Sequence, residues 1–99
     1  MTANRSSESP DEEVVLESVA YVTGSKYRTL VFEELAKDPK HPSDIADAGE
    51  VARSHVSRAL KELRDRGLVE SYGAESRSKL YVFTDLGEQV DESISNNNL

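Results

Sequence analysis

The stretch from Ile45 to Val69, IADAGEVARSHVSRALKELRDRGLV, decides the fold. It reads as the rest of a short helix, a tight turn, a second helix and the start of a strand. Val56, Leu60 and Leu63 recur at the spacing of one helical face, and Ala59 widens that stripe without adding bulk. Ser54, Ser57, Arg58 and Lys61 project largely to the other side, with Arg53 at its margin. Arg64 and Arg66 suit the negative C-terminal pole of the helix, and Gly67 is a natural terminator in left-handed geometry. Small hydroxyls and long cations on one side suit a major groove, where they reach base edges or phosphates. A solvated helix face has the same makeup, and Glu62 and Asp65 dilute its charge. From this helix alone, DNA contact and plain solvation both stay open.

Downstream, the segments 67–72 (GLVESY) and 79–83 (KLYVF) are rich in strand formers, and 73–78 (GAESRS) between them is small and polar. Thr84-Asp85-Leu86-Gly87 begins another helix, with Thr84 as its N-cap. Helix–turn–helix, Gly-Leu-Val, hairpin and Thr-x-x-Gly in this order resemble the winged-helix transcriptional regulators of the MarR/ArsR type found in bacteria and archaea. Residues 53–63 are similar to their recognition helix. The upstream segment from Gly24 through Ala46 matches the first helix and the entry to the second. The resemblance covers roughly residues 14–94.

The resemblance implies a mainly α fold with a small β-hairpin: a winged helix-turn-helix with a three-helix core, a wing, and flanking N- and C-terminal helices. It further implies a DNA-binding transcriptional regulator that reads the major groove of double-stranded DNA with helix 53–66 and contacts backbone with the wing 73–79. Ser54, Ser57, Arg58 and Lys61 then meet bases and phosphates, Arg53 phosphate, and Arg77 and Lys79 adjacent backbone. His55 touches the DNA backbone or lies at the helix edge. Ser43 touches phosphate or simply caps its helix. Lys26 and Arg28 either approach phosphate or, for Arg28, pair with an acid of the neighbouring helix. Winged helices also serve as protein-interaction modules of the transcription machinery, which is the alternative reading.

Two residues depart from the pattern. Ala52 stands where Ser or Thr usually caps the recognition helix, a loss of about 0.5–2 kcal/mol. Gly49 stands where an apolar residue is usual. Together they predict a looser turn, or a different way of closing it.

The remaining chain completes one domain. Residues 1–10 read as a flexible arm, 11–94 as the domain and 95–99 as a frayed end. A first helix begins near Asp11, with Val15, Val19 and Val22 in one apolar row joined by Val14, Leu16 and Tyr21. Gly24 breaks it and Ser25 caps the next, which carries Tyr27, Leu30, Val31, Phe32 and Leu35 to about Lys37. Pro39 and Pro42 stiffen the crossing, with a short third strand at Lys40–His41, and Ser43 caps the helix holding Ile45. Leu86, Val90 and Ile94 make the last helix amphipathic. The first and last helices carry more apolar surface than a small winged-helix core needs. In the resembling families such helices build a twofold dimer, and a homodimer through them is expected here.

The chain of 99 residues has a net charge of −7 and no cysteine. That excludes disulfides and thiolate metal sites. His41 and His55 are the only histidines, with no ligand cluster around them, so no metal or cofactor is expected. No nucleophile motif or phosphate-cradling glycine loop points to an enzyme. No run of about 20 apolar residues suggests a membrane span, and a cytoplasmic location fits. A small-molecule effector has no motif to identify it.

The charge is unevenly spread: residues 51–83 carry a net +3, while 1–24, 25–50 and 84–99 carry −4, −2 and −4. The recognition helix and wing are thus the only positive part, and local field governs docking more than the total does. The acid-rich remainder, with scarce Lys, suggests a halophilic source, and the resemblance implies an archaeal one. The melting temperature is therefore expected to rise between dilute and molar potassium chloride. Thermal melts in the two buffers check this, and no gain in salt speaks against halophily.

Overall fold

The computed structural model describes residues 11–73 and 79–97. Helices α1 (Glu12–Thr23), α2 (Lys26–Lys37), α3 (Pro42–Gly49) and α4 (Arg53–Asp65) precede an antiparallel hairpin of β1 (Val69–Tyr72) and β2 (Leu80–Phe83). Helix α5 (Asp85–Asn97) follows and lies against α1. The expected three-helix core is α2, α3 and α4, packed around Val31, Ile45, Val56, Leu60 and Leu63, all fully buried. Val22 of α1, Leu68 and Val69 at the hairpin, and Val90 of α5 extend that core. Phe83 brings β2 onto α2, its ring centroid 4.5 Å from that of Phe32.

The end of α4 is closed as its sequence dictates. Gly67 takes φ 77°, and its N–H donates to the Arg64 carbonyl at 2.9 Å. The Leu68 N–H donates to the Leu63 carbonyl at 3.0 Å, completing a Schellman closure that delivers Leu68 into the core.

The α3–α4 turn is closed differently from the usual pattern, and it is tight. Glu50 adopts left-handed geometry (φ 55°), and the Val51 N–H reaches the Ala46 carbonyl at 3.1 Å. Left-handed geometry costs a non-glycine residue about 1–2 kcal/mol. The glycine beside it serves packing instead: a Cβ on Gly49 would lie 2.5 Å from Leu30 Cδ2 of α2. Ala52 occupies the N-cap of α4 with no side-chain bond.

Thr84 joins α4, the hairpin and α5. Its hydroxyl donates to the Gly67 carbonyl at 2.6 Å and accepts from the Gly87 N–H at 3.1 Å. Its own N–H donates to the Leu68 carbonyl at 3.1 Å. A Cβ on Gly87 would sit 2.1 Å from that same carbonyl oxygen, so the Thr-x-x-Gly spacing reflects a close helix–backbone approach.

Two sequence expectations are corrected. Ser43 is not the cap of α3: Pro42 takes N1, where its missing N–H is harmless, so the capping position falls to His41. His41 makes no side-chain cap bond; its Nδ1 lies 2.9 Å from the Lys79 carbonyl oxygen. The short third strand contracts to one antiparallel bridge between Lys40 and Tyr81, with N···O distances of 3.2 and 2.9 Å. Lys40 is further tied to α2, donating to the Glu34 carbonyl at 3.0 Å. At the other end, α5 runs to Asn97. The apolar pattern stops at Ile94, but the last helical carbonyls need N–H donors from the residues beyond it.

Replacing Ala52 with Ser is expected to raise stability by about 0.5–2 kcal/mol through a restored cap. Gly87→Ala is expected to lower it by about 1–3 kcal/mol through overpacking against Leu68. Urea unfolding of both variants checks the pair.

Candidate nucleic-acid interface

At about 100° per residue, α4 divides into one buried side, an apex opposite it, and two flanks. The buried side is Val56, Ala59, Leu60 and Leu63. The apex is Ser54, Arg58, Lys61 and Asp65, all exposed. Both flanks are met by neighbouring elements, and those neighbours differ.

The wing-side flank carries Arg53, Ser57 and Arg64. With Ser43 of α3 and Lys79 of the wing base they line a cleft of about 520 Å³, floored in part by Leu60 and Tyr81. Four predicted site residues are thereby brought together: Ser43, Arg53, Ser57 and Lys79. Arg64 joins them without having been singled out for contact. Helical spacing places it seven residues after Ser57, on the same flank, although its position near the helix end also fits a simple dipole partner.

The opposite flank carries His55 and Glu62, against the start of α2. The His55 ring stacks on Tyr27, centroids 4.2 Å apart and planes at 4°. Glu62 accepts from Arg28 at 3.0 Å. Arg28 thus takes the ion-pair alternative. Its Nε also donates to the Tyr21 carbonyl at 2.8 Å, and its guanidinium lies 3.8 Å from the Tyr21 ring centroid. Arg66 approaches the same ring at 4.0 Å. These contacts tie α1 to the start of α2 and the end of α4 and withdraw Arg28 from solvent.

The electrostatics favour an anionic visitor at the apex and wing-side flank. Lys61 pairs with Asp65 at 3.2 Å, but both side chains are well exposed, and such a pair is worth only about 0.3–0.5 kcal/mol. Among the described residues no carboxylate pairs with Arg53, Arg58, Arg64 or Lys79. Arg77, the other predicted wing cation, lies outside the described residues.

Elsewhere, Tyr72 donates to Glu70 at 2.9 Å, and this bond with the carboxylate's charge raises the phenol above its ordinary pKa. Asp91 of α5 is raised by burial and then by the charge of Glu92. Among the described residues no three His, Cys, Asp or Glu side chains form a group that could hold a metal ion, and no helix is long and apolar enough to cross a membrane.

A three-helix core with an amphipathic helix presented beside a hairpin defines the winged helix-turn-helix class. The chain belongs to the HVO_A0261 N-terminal domain family, whose model matches residues 16–97. Solved structures share the fold at low identity. Lactococcus lactis ZitR is 21% identical with a TM-score of 0.69, over 75% of this chain and 52% of that one, so the chain spans about half of ZitR's length. TubR bound to 24 bp of tubC from Bacillus thuringiensis serovar israelensis is 15% identical with a TM-score of 0.73, over 83% and 92%. The homodimeric winged helix-turn-helix DNA-binding domain of Mycobacterium bovis Mb0332, a possible ArsR-family transcriptional regulator, is 21% identical with a TM-score of 0.66, over 96% and 82%. A comparison with curated proteins gives no match.

Arg28→Ala leaves Glu62 and the Tyr21 carbonyl without their partner. Its expected cost is about 1–3 kcal/mol of stability, and urea unfolding of the variant measures it.

Proposed function

We propose that this chain is a DNA-binding transcriptional regulator, a binding protein and not an enzyme, that reads the major groove of double-stranded DNA with α4. The observation that carries the reading is the open apex of that helix. Ser54, Arg58 and Lys61 are exposed on the side opposite the buried stripe, free of cover by the other described residues. In this reading Arg58 and Lys61 address base edges and phosphates, Ser54 supplies a hydroxyl, and the wing 73–79 follows the backbone. His55 is the weakest of the predicted contacts, because its ring is already stacked on Tyr27.

The proposed working form is a cytoplasmic homodimer built by α1 and α5, which sets two copies of α4 in successive major grooves about 34–36 Å apart. Val14 and Leu16 of α1, 41% and 54% exposed, supply apolar surface for it. These two helices hold three and four carboxylates and no Lys or Arg. Joining two such faces sets like charges together, so screening by salt favours association. That fits the proposed halophilic, archaeal source. In concentrated salt counterion release contributes little, and base and shape contacts must carry more of the affinity.

Sedimentation at increasing potassium chloride is expected to show the dimer fraction rising; a single 11.0 kDa species at every salt concentration refutes the dimer. For the DNA reading, bound genomic DNA is recovered and tested in a salt-controlled shift assay. Arg58→Ala is expected to weaken recovered sites by about 1–3 kcal/mol. Unchanged affinity removes Arg58 from the interface. Absence of duplex binding at any salt removes the function.

A further inference from the structure

A cavity of about 540 Å³ lies where α1, α2 and α5 meet, and none of its described lining residues belongs to α4 or the wing. DNA reading leaves it without a role, although its size is that of a small-molecule site. Its floor is apolar: Val22 and Phe32 are buried and Ile94 is half-buried. Its charged lining is Glu33 of α2 and Asp91 of α5, with no Lys, Arg or His among the described lining residues. Neither carboxylate has a cationic partner among the described residues.

The oriented hydroxyls of this lining are acceptors too. Thr23 donates to the Val19 carbonyl at 2.9 Å, and Thr29 donates to the Val22 carbonyl at 3.0 Å. Their protons are thereby used, and the oxygens face a visitor with lone pairs only. The last turns of α1 and α5 also converge here, through Val22 and Thr23 of one and Ile94 and Ser95 of the other. A helix C-terminus carries partial negative charge, and neither of these last turns holds a basic residue. Arg28 reaches the end of α1 at the Tyr21 carbonyl but does not line the cavity. Burial, and then the charge of Glu92, hold the Asp91 carboxyl above its ordinary pKa, as befits a carboxylate without a compensating cation.

We propose that this cavity binds a small organic cation: a hydrophobic ammonium whose apolar body lies on Val22, Phe32 and Ile94 and whose N–H groups donate to Asp91 and Glu33. An inorganic cation leaves the apolar floor unused. An organic anion meets two carboxylates and two negative helix ends. A second copy of the chain is the competing occupant, but its α1 and α5 bring further carboxylates and no Lys or Arg, so charge favours the ammonium. Val14 and Leu16, the apolar surface proposed for the dimer, are not among the lining residues, so dimer and ligand need not compete. The site is independent of DNA reading by α4.

The test is calorimetric titration of the full chain at neutral pH and one fixed potassium chloride concentration. Three ligands share an apolar body and differ in charge: phenylbutylammonium, phenylbutanol and phenylbutanoate. The ammonium is expected to bind about tenfold more tightly than the alcohol, and the carboxylate most weakly. Asp91→Asn is expected to remove most of the preference for the ammonium and to leave the affinity for the alcohol unchanged. Glu33 is exposed, so Glu33→Gln is expected to keep its circular-dichroism melt and to weaken the ammonium by about threefold. Equal affinity for the three ligands, no binding of the ammonium, or ammonium binding that both variants leave unchanged overturns the proposal. Binding that disappears once sedimentation shows the dimer also overturns it, because a second copy then fills the cavity. None of these outcomes bears on duplex binding, which the shift assay reads separately.

Discussion

Burial of the row Val56, Leu60 and Leu63 governs what α4 offers to solvent. A helix can bury only one stripe, and that stripe is fixed here by packing against α2 and α3 around Ile45 and Val31. Once it is fixed, Ser54, Arg58 and Lys61 have no direction available except outward. The chemistry of the proposed interface is therefore a consequence of hydrophobic packing, and the cations need no fastening of their own.

The second constraint is the junction at Gly67, Leu68 and Thr84. The Schellman closure of α4 places Leu68 in the core, and the Thr84 hydroxyl and N–H grip Gly67 and Leu68 from the far side of the hairpin. The hairpin thereby starts and ends on the terminus of α4. The wing base is held again by His41 on the Lys79 carbonyl and by the Lys40–Tyr81 bridge. These ties hold Lys79 beside α4 and give the cleft its far wall, so the wing base has a defined position relative to the helix it flanks.

Charge is sorted by element. The cations left without a carboxylate partner, among the described residues of α4 and the wing base, are Arg53, Arg58, Arg64 and Lys79. Arg28 of α2 and Lys40 of the crossing are spent internally, Arg28 on Glu62 and Tyr21, Lys40 on the end of α2. The flanking helices α1 and α5 keep only acids. An acidic protein can present a basic face in this way, since a ligand at contact distance responds to the local field.

The periodicity of residues 53–63, the Gly67 terminator and the Thr-x-x-Gly spacing were sufficient to place α4, the start of the hairpin and the start of α5, because helical repeats and caps are local properties of the chain. The outward face of α4 was legible for the same reason. What lies on either side of that face was not. Ser43 read as a cap until Pro42 proved to hold the first helical position. Gly49 read as a turn residue until Leu30 of another helix was seen against it. Arg64 read as a dipole partner, and Arg28 was left between phosphate and a neighbouring acid. Each of these depends on residues distant in sequence: Lys79 beside Arg64, Glu62 beside Arg28, Tyr27 beneath His55. The sequence by itself determined which stripe of α4 is buried and which side is polar. Only the tertiary structure decided which polar side chains are used up inside the molecule and which stand open, because a side chain's partner is chosen by packing across elements, and no local repeat encodes it.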